Sequence, residues 1–265
     1  MLEIADGHYS AWIAPEAGGS LMSLRYRGRD MLRPAANIET VAADPREAAC
    51  YPCVPWFGRL RGGLDFGARH YDLAPTLPAC DPEHALHGHV WTQAWEISRR
   101  APARATCRLD YQPAPMMFPF PFRAEQSFYF DRGFHLSLRI TNIGCGAMPA
   151  GLGLHPFFPN GEDAEINIAE TTGENGDPAA IEHSGPVPSK DIDKTLRGWN
   201  GRAEIVQNSM RIAMRSNARF LHLYSPENAD FFCAEPITHE PGDFGSDHLA
   251  PGEDMEITLR LRAEE

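Results

Sequence analysis

A histidine and a glutamate stand in strand-like segments that suit acid–base chemistry. His155 lies within Gly-Leu-Gly-Leu-His-Pro-Phe-Phe-Pro, residues 151–159. Pro156 lacks a backbone N–H and favours an extended conformation at His155, so we expect the imidazole at a strand end, enclosed by aromatic rings. Taken alone, the pattern fits either a packed core histidine or a catalytic acid.

Glu235 follows the apolar run Phe-Phe-Cys-Ala and precedes a proline. A carboxylate rarely ends a buried strand without a partner or a chemical task. Desolvation would raise its pKa towards the range in which a carboxylate acts as a general base. The sequence therefore predicts a functional carboxylate at Glu235.

Two arginines alternate beside aromatic residues in Pro-Trp-Phe-Gly-Arg-Leu-Arg, residues 55–61. One interpretation is a strand with a solvated arginine face. The other is that Arg59 and Arg61 point into a cleft, where the guanidinium fork can bind ligand oxygens. The segment by itself leaves both interpretations open.

Three histidines, His84, His87 and His89, occur within six residues and mimic a metal site. No second cluster with ordinary ligand spacing follows, so we expect no metal. Gly88 indicates a tight backbone path that presents His87. Trp91, a short distance downstream, fits either a core residue or a platform for a ligand.

The elements that must position these residues are strands. Period-two alternation marks residues 92–97, 135–140, 164–168 and 255–261, and no long segment keeps a period of 3.6. Glycine and proline number 23 each and divide the chain into short pieces. This pattern predicts an all-β sandwich or barrel with large antiparallel sheets. Residues 169–191 fit a linker between domains or, as we prefer, a surface connection within a single domain of residues 1–265.

Composition excludes several classes of partner. The chain carries 24 basic and 36 acidic residues, a net charge of -12, which argues against nucleic acid and anionic membranes as partners.

We find neither a signal-peptide pattern nor a membrane-spanning apolar run in the sequence. Six scattered cysteines fit reduced thiols of a cytoplasmic protein, and the Cys50–Cys53 spacing lacks the context of a redox motif. Glycine-rich phosphate-binding loops are also absent from the sequence.

Taken in order, several segments resemble the aldose 1-epimerase family, also called galactose mutarotases. Each is similar to a family motif: the proline-rich segment 51–61, Leu-His-Gly at 86–88, Asn142, Met-Pro at 148–149, Gly-Leu-His-Pro-Phe-Phe at 153–158, an acidic segment at 191–193, Glu-Pro-Ile-Thr at 235–238 and Leu-Ala-Pro-Gly at 249–252. Gly58 stands where the family usually has asparagine. The resemblance covers most of the chain.

The resemblance implies a galactose mutarotase-like β-supersandwich with a sugar site on one sheet face. By position, Glu235 would be the general base and His155 the general acid, on opposite sides of the C1–O5 bond. Arg59, His87 and Asp193 would bind and orient the sugar, and Trp91 would contact it. The implied activity interconverts α- and β-anomers of an aldohexose without metal or organic cofactor, in a monomer or homodimer.

Two alternatives remain open. One is an epimerase for a hexose 6-phosphate or another anionic sugar, held by Arg59 and Arg61. We favour a neutral sugar, because the acidic chain repels anions at long range and one arginine suffices for hydroxyl groups. The other is a non-catalytic carbohydrate-binding module, which would not need both Glu235 and His155.

Overall fold

A computed structural model describes residues 1–168, 171–172, 178–179, 183–187 and 191–264. In chain order its strands are β1 (Leu2–Ala5), β2 (Tyr9–Ala14), β3 (Ser20–Tyr26), β4 (Arg29–Asp30), β5 (Cys50–Cys53), β6 (Arg59–Leu60), β7 (Leu64–Phe66), β8 (Arg69–Tyr71), β9 (Ala85–Leu86), β10 (Glu96–Ala101), β11 (Arg104–Tyr111), β12 (Phe122–Phe130), β13 (Phe134–Asn142), β14 (Met148–Pro149), β15 (Gly153–Pro159), β16 (Glu165–Ile168), β17 (Thr171–Thr172), β18 (Pro178–Ala179), β19 (His183–Pro186), β20 (Ile192–Arg197), β21 (Arg202–Gln207), β22 (Met210–Ser216), β23 (Phe220–Ser225), β24 (Phe231–Ile237), β25 (His248–Leu249) and β26 (Asp254–Glu264). Helical structure in the described residues is limited to α1 (Ile38–Ala43) and the 3-10 turns Pro45–Glu47 and Val90–Thr92.

Two large antiparallel sheets dominate the fold, which confirms the predicted class. The site sheet has the order β1-β2-β3-β5-β15-β24-β23-β20, with β4 added to β3. The backing sheet has the order β10-β11-β12-β13-β26-β22-β21-β16-β19. One hydrophobic core contains residues of both sheets, from Leu2 to Ala263. Among the described residues, no helix has the length and apolar composition needed to span a bilayer.

The period of two along a strand decides what each face of the site sheet carries. In β24, Phe232 and Ala234 enter the core shared by the two sheets. Cys233 and Ile237 belong to a second apolar cluster, on the opposite face. In β23, Leu221 and Leu223 likewise point into the shared core. The alternate residues of these strands are therefore available to line a site on the outer face.

Most predicted strands are present, with one correction. The patterns at 135–140, 164–168 and 255–261 fall in β13, β16 and β26. The strand predicted at 92–97 was wrong for its first part, because Val90–Thr92 forms a 3-10 turn and the strand begins only at Glu96. Part of the segment 169–191 lies outside the described residues. Its described part includes β19, which pairs with β16 in the backing sheet.

Prolines interrupt the ladder between the two central strands of the site sheet. Gly153 pairs with Ile237 and Phe157 with Cys233, while the residues between these pairs are unpaired across the two strands. Pro156 and Pro236 both lie in this stretch, and a proline cannot donate a ladder hydrogen bond. The same register places His155 opposite Glu235 within the interruption. Both residues therefore lie inside their strands, and the prediction that each lies at a strand end was wrong.

The backbone beside His87 depends on a glycine. Gly88 has φ +75°, a left-handed conformation, and His87 itself has φ +54°. A Cβ at position 88 would lie 1.7 Å from the Val54 carbonyl oxygen. Only glycine allows this close approach, which places the His87 turn against the segment that follows β5.

We expect Gly88→Ala to lower the free energy of unfolding by about 3 kcal/mol or more, because the clash is with backbone atoms. Gly28→Ala is the matched control, since Gly28 has φ +77° but nothing within 4 Å of its hypothetical Cβ. That control should cost only about 1–2 kcal/mol. Denaturant unfolding measures both, and equal losses would contradict the close-approach argument.

Candidate active site

A cavity of about 1090 Å³ lies over the outer face of the site sheet. Its wall includes six of the residues that the sequence singled out: Arg59, Arg61, His87, His155, Asp193 and Glu235. The cavity is large enough for a monosaccharide, since small-molecule sites typically measure about 300–1,000 Å³. The fold thus brings together side chains from well-separated parts of the sequence.

One row of side chains crosses the floor of the cavity from strand to strand. Tyr51 of β5 pairs with His155 of β15. Glu235 of β24 pairs with His222 of β23, which in turn pairs with Thr195 of β20. Since His155 lies opposite Glu235 in the interrupted ladder, the row is continuous across five strands. Directly opposed residues have neighbouring side chains, so this register assembles the polar centre of the site.

The centre of this row is a contact between an imidazole and a carboxyl group. His155 Nε2 lies 3.3 Å from Glu235 Oε2. Glu235 is completely buried and His155 is 6% exposed. Neither oxygen of Glu235 has a hydrogen-bond partner among the described residues, and neither has His155 Nδ1. Buried polar atoms without partners are costly, so this arrangement is typical of a site whose partner is a ligand.

Burial sets the protonation of this pair. It raises the pKa of Glu235 well above its usual range, and the charge of Asp193 adds to the effect. It lowers the pKa of His155 well below 6.5, helped by His87 and His222. An ion pair would shift both pKa values the other way, so desolvation outweighs the mutual attraction in this site. The favoured state is a neutral imidazole beside a neutral carboxyl group.

His222 is a residue of the site that the sequence analysis missed. Its Nδ1 lies 2.9 Å from Thr195 Oγ1 and its Nε2 lies 3.3 Å from Asp193 Oδ1. It lines the cavity beside Glu235. The alternation Phe-Leu-His-Leu-Tyr at 220–224 could have indicated a histidine opposite the core face, but not which site it enters. Asp193, by contrast, was predicted and does reach the cavity wall.

His87 and Arg59 occupy another part of the wall, and both are held by protein contacts. The Gly58 N–H donates to His87 Nδ1 (3.1 Å), so the proton of the neutral ring is on Nε2. Burial, reinforced by the charge of Arg59, lowers the pKa of His87 to about 3. Arg59 Nε donates to Asp81 Oδ2 (2.7 Å). His87 therefore offers a neutral donor, whereas part of the Arg59 fork is already occupied.

Trp91 is placed differently from the prediction. It is completely buried, and it is not among the residues that line the cavity. Its ring stacks on Tyr51 at a centroid distance of 5.0 Å, and Tyr51 stacks on His155 at 4.5 Å. Trp91 thus supports the ring that supports His155. The core interpretation of this tryptophan is the one that agrees with its position.

The three neighbouring histidines diverge, because the chain turns between them. His84 contacts Asp81 (3.1 Å), His87 lines the cavity, and His89 Nε2 accepts a hydrogen bond from the Phe118 N–H (3.1 Å). They do not form a common site.

A different trio could in principle share an ion within the described part of the chain. The donor atoms of His155, Cys233 and Glu235 lie within 4.8 Å of one another. Burial raises the pKa of the Cys233 thiol well above its usual range. Without an ion, Cys233 is therefore a neutral thiol, whereas the thiolate is the form that binds metals.

We expect Glu235→Gln to stabilise the fold above about pH 5, because glutamine resembles the protonated carboxyl group that burial favours. In the wild type the unfolded state releases the proton near the usual pKa, whereas the folded state retains it, so stability falls as pH rises through this interval. Each unit of raised pKa corresponds to about 1.4 kcal/mol. The advantage of the variant should therefore be small near about pH 4 and grow towards about pH 8.

Denaturant unfolding at several pH values measures this difference. The exposed Glu162 provides a control, and Glu162→Gln should show no comparable growth with pH. A constant difference between Glu235→Gln and wild type would mean that the pKa of Glu235 is not raised in the folded protein.

Comparison with known proteins agrees with this architecture. The family model described as aldose 1-epimerase matches residues 1–262. The uncharacterised protein YphB of Escherichia coli K12 is 27% identical over 88% of this chain and 89% of its own length. A crystal structure from Escherichia coli K12 with a provisional aldose 1-epimerase description superposes with a TM-score of 0.84 at 24% identity, covering 99% of this chain and 98% of the other. A galactose mutarotase-like protein from Lactobacillus casei gives a TM-score of 0.78 at 19% identity, with both chains fully covered. Because the family model spans nearly the whole sequence, this chain belongs to the aldose 1-epimerase family.

Proposed function

We propose that the protein is a mutarotase that interconverts the α- and β-anomers of an aldohexose by acid–base ring opening. The observation that carries this proposal is the contact of His155 with Glu235 on the cavity floor, where both Glu235 oxygens lack hydrogen-bond partners among the described residues. Ring opening needs one group to accept a proton and another to donate one. The C1 hydroxyl and the ring oxygen share carbon C1, so two adjacent protein groups match two adjacent substrate atoms.

In the proposed reaction, Glu235 accepts the proton of the C1 hydroxyl and His155 donates a proton to the ring oxygen. The O–H electrons form the C1 carbonyl as the C1–O5 electrons move to the ring oxygen, which gives the open-chain aldehyde. Rotation about C1–C2 exposes the other carbonyl face, and the reverse proton transfers close the ring. The 3.3 Å distance between His155 Nε2 and Glu235 Oε2 supports an arrangement in which both groups approach the substrate from the cavity floor.

The protonation of the site is compatible with this cycle. The reactive form, an ionised Glu235 beside a protonated His155, carries the same single proton as the neutral pair that burial favours. The two forms differ only in whether Glu235 or His155 holds that proton. Such a pair titrates as one unit, with apparent pKa values that belong to both groups.

The remaining polar residues of the cavity suit the hydroxyl groups of a sugar. His87 offers an Nε2 donor, Asp193 offers carboxylate acceptors on a side chain that is 71% exposed, and Arg59 offers donors beside its contact with Asp81. Hydroxyl groups both donate and accept, so a mixed set can orient them. A carbohydrate-binding module would need this set but not the buried acid–base contact, which favours the enzyme.

Glu235→Gln should reduce anomer exchange by at least about 100-fold, because positioned general bases typically contribute about 10²–10⁴-fold. NMR exchange spectroscopy or polarimetry on freshly dissolved sugar measures the rate above the uncatalysed background. Glu47→Gln removes an exposed carboxylate from the wall of the same cavity and should leave the rate unchanged. A folded Glu235→Gln protein with wild-type exchange would remove Glu235 from the proposed role.

His155→Asn should slow exchange by a similar factor and change the shape of the pH profile. The wild-type profile should have two limbs, because the pair must hold one proton and is inactive with two or with none. The variant retains only Glu235, which must be ionised to act, so its residual activity should rise with pH through a single apparent pKa above 4.5. A two-limbed profile in this variant would assign the acid to another residue, with His87 the next candidate.

A further inference from the structure

A row of cationic side chains crosses the outer face of the backing sheet, the face opposite the shared core. The register places Arg202 of β21 opposite Arg215 of β22, and Arg215 opposite Arg260 of β26. On its other side, Arg260 lies opposite His135 of β13. The next residue of β26, Leu261, belongs to the core, so the row points away from it. The row therefore lies on a different surface from the sugar cavity.

The three arginines of this row repel one another. Directly opposed side chains in an antiparallel ladder have Cβ atoms about 4.5–5.5 Å apart, and like charges at that distance are destabilising. In the part of the chain that the structure describes, Arg202, Arg215 and Arg260 have no carboxylate at ion-pair distance. The repulsion between neighbours in the row is thus not offset by ion pairs within the protein.

Carboxylates of the same sheet face bind other arginines. Arg139 contacts Glu256, and Arg211 contacts Glu204. The chain as a whole has 36 acidic and 24 basic residues, so acidic partners are plentiful. The row is therefore a local excess of positive charge on an acidic protein, and such an excess attracts anions at short range.

A cavity of about 370 Å³ opens at the centre of the row. Its charged residues are four arginines and two carboxylates: Arg132, Arg215, Arg260 and Arg262, with Asp131 and Glu264. Asp131 lies 3.9 Å from Arg132, and Glu264 lies 3.7 Å from Arg262. Arg215 and Arg260 remain without a partner of this kind, which leaves the wall with two more cations than anions. The volume is within the usual range of small-molecule sites, about 300–1,000 Å³.

A buried histidine positions Arg260 at this cavity. His135 is 6% exposed, and its Nδ1 accepts a hydrogen bond from Arg260 Nε (2.9 Å). The proton of the neutral ring is therefore on Nε2, which lies 2.9 Å from the backbone oxygen of Asp131 and donates to it. Burial lowers the pKa of His135, and the charge of Arg260 adds to the effect. Arg260 is thus held by a neutral partner and keeps its charge.

We propose that Arg215 and Arg260 bind the phosphate group of a soluble phosphate ester in this cavity. A phosphate group carries a charge of about −1.5 to −2 and three acceptor oxygens at neutral pH. Guanidinium groups bind such oxygens through paired N–H donors, and an anion between two adjacent cations removes their repulsion. The large apolar side chains that are exposed in the described residues do not line this cavity, which favours a soluble ligand over a lipid surface.

Calorimetric titration with inorganic phosphate tests the site, at an ionic strength held constant with chloride. We expect the wild type to bind phosphate. Arg215→Gln and Arg260→Gln should each weaken the affinity by about 10–100-fold, the usual effect of losing a hydrogen bond to a charged group. The acid–base pair lies on the other sheet, so this binding does not depend on the proposed mutarotase activity.

Arg139→Gln is the matched control, because it removes an arginine of the same sheet face that Glu256 already pairs. It should change the affinity for phosphate by less than about 3-fold. A wild type that does not bind phosphate would overturn the proposal. Equal losses in Arg139→Gln and Arg215→Gln would indicate a general effect of charge and would overturn it as well.

Denaturant unfolding gives a second measurement that separates a ligand site from a structural role. In buffer without phosphate, Arg215→Gln should raise the midpoint of unfolding, because it relieves the repulsion in the row. Added phosphate should raise the midpoint of the wild type and leave that of Arg215→Gln nearly unchanged. A variant that is less stable than the wild type without phosphate, yet responds to phosphate equally, would assign Arg215 a structural role only.

Two phosphate sources can be distinguished with the same protein. Glycerol 3-phosphate should compete with inorganic phosphate in the titration, since it is a soluble ester. Vesicles of phosphatidic acid and phosphatidylcholine should not bind the protein in a sedimentation assay. Vesicle binding that Arg215→Gln abolishes would overturn the assignment to a soluble ligand.

Discussion

The contact between His155 and Glu235 depends on the register of two neighbouring strands, and the rest of the site is arranged around it. A shift of one residue in either strand would turn one of the two side chains into the hydrophobic core. The alternation of Phe232 and Ala234 with Cys233 and Glu235 decides which face of β24 enters the core shared by the two sheets, and so excludes a shift by one residue. The packing that stabilises the fold is thus also what aligns the proposed acid and base.

Desolvation gives this contact its chemical character. Glu235, which has no hydrogen-bond partner among the described residues, and the imidazole of His155 are both buried and favour their neutral forms, which reverses the usual order of their pKa values. The same burial lowers the stability of the fold at neutral pH. Prolines on both strands add to this cost, because they leave the ladder interrupted where the two residues meet.

The arginines of the cavity wall differ in whether a carboxylate of the protein binds them. Arg46 is bound to Asp44 and Arg59 to Asp81, so these guanidinium groups are largely neutralised by the protein. Arg33 is instead held by aromatic rings, which fix its position without neutralising it. Net charge therefore says little about the ligand of such a site. In an acidic chain, local pairing decides which cations remain available.

The sequence by itself determined the class of fold and most of the acid–base centre. Period-two alternation indicated antiparallel sheets, and the ordered motifs pointed to Glu235, His155, His87, Arg59 and Asp193, all of which line one cavity. Only the tertiary structure decided the rest. It showed that Trp91 lies behind Tyr51, that His222 joins the row beside Glu235, and that Arg33 has no carboxylate partner among the described residues. The reason is physical. The local sequence pattern indicates which face of a strand a residue occupies. Register and packing between distant segments determine its neighbours across the sheet, and therefore which charges remain unpaired.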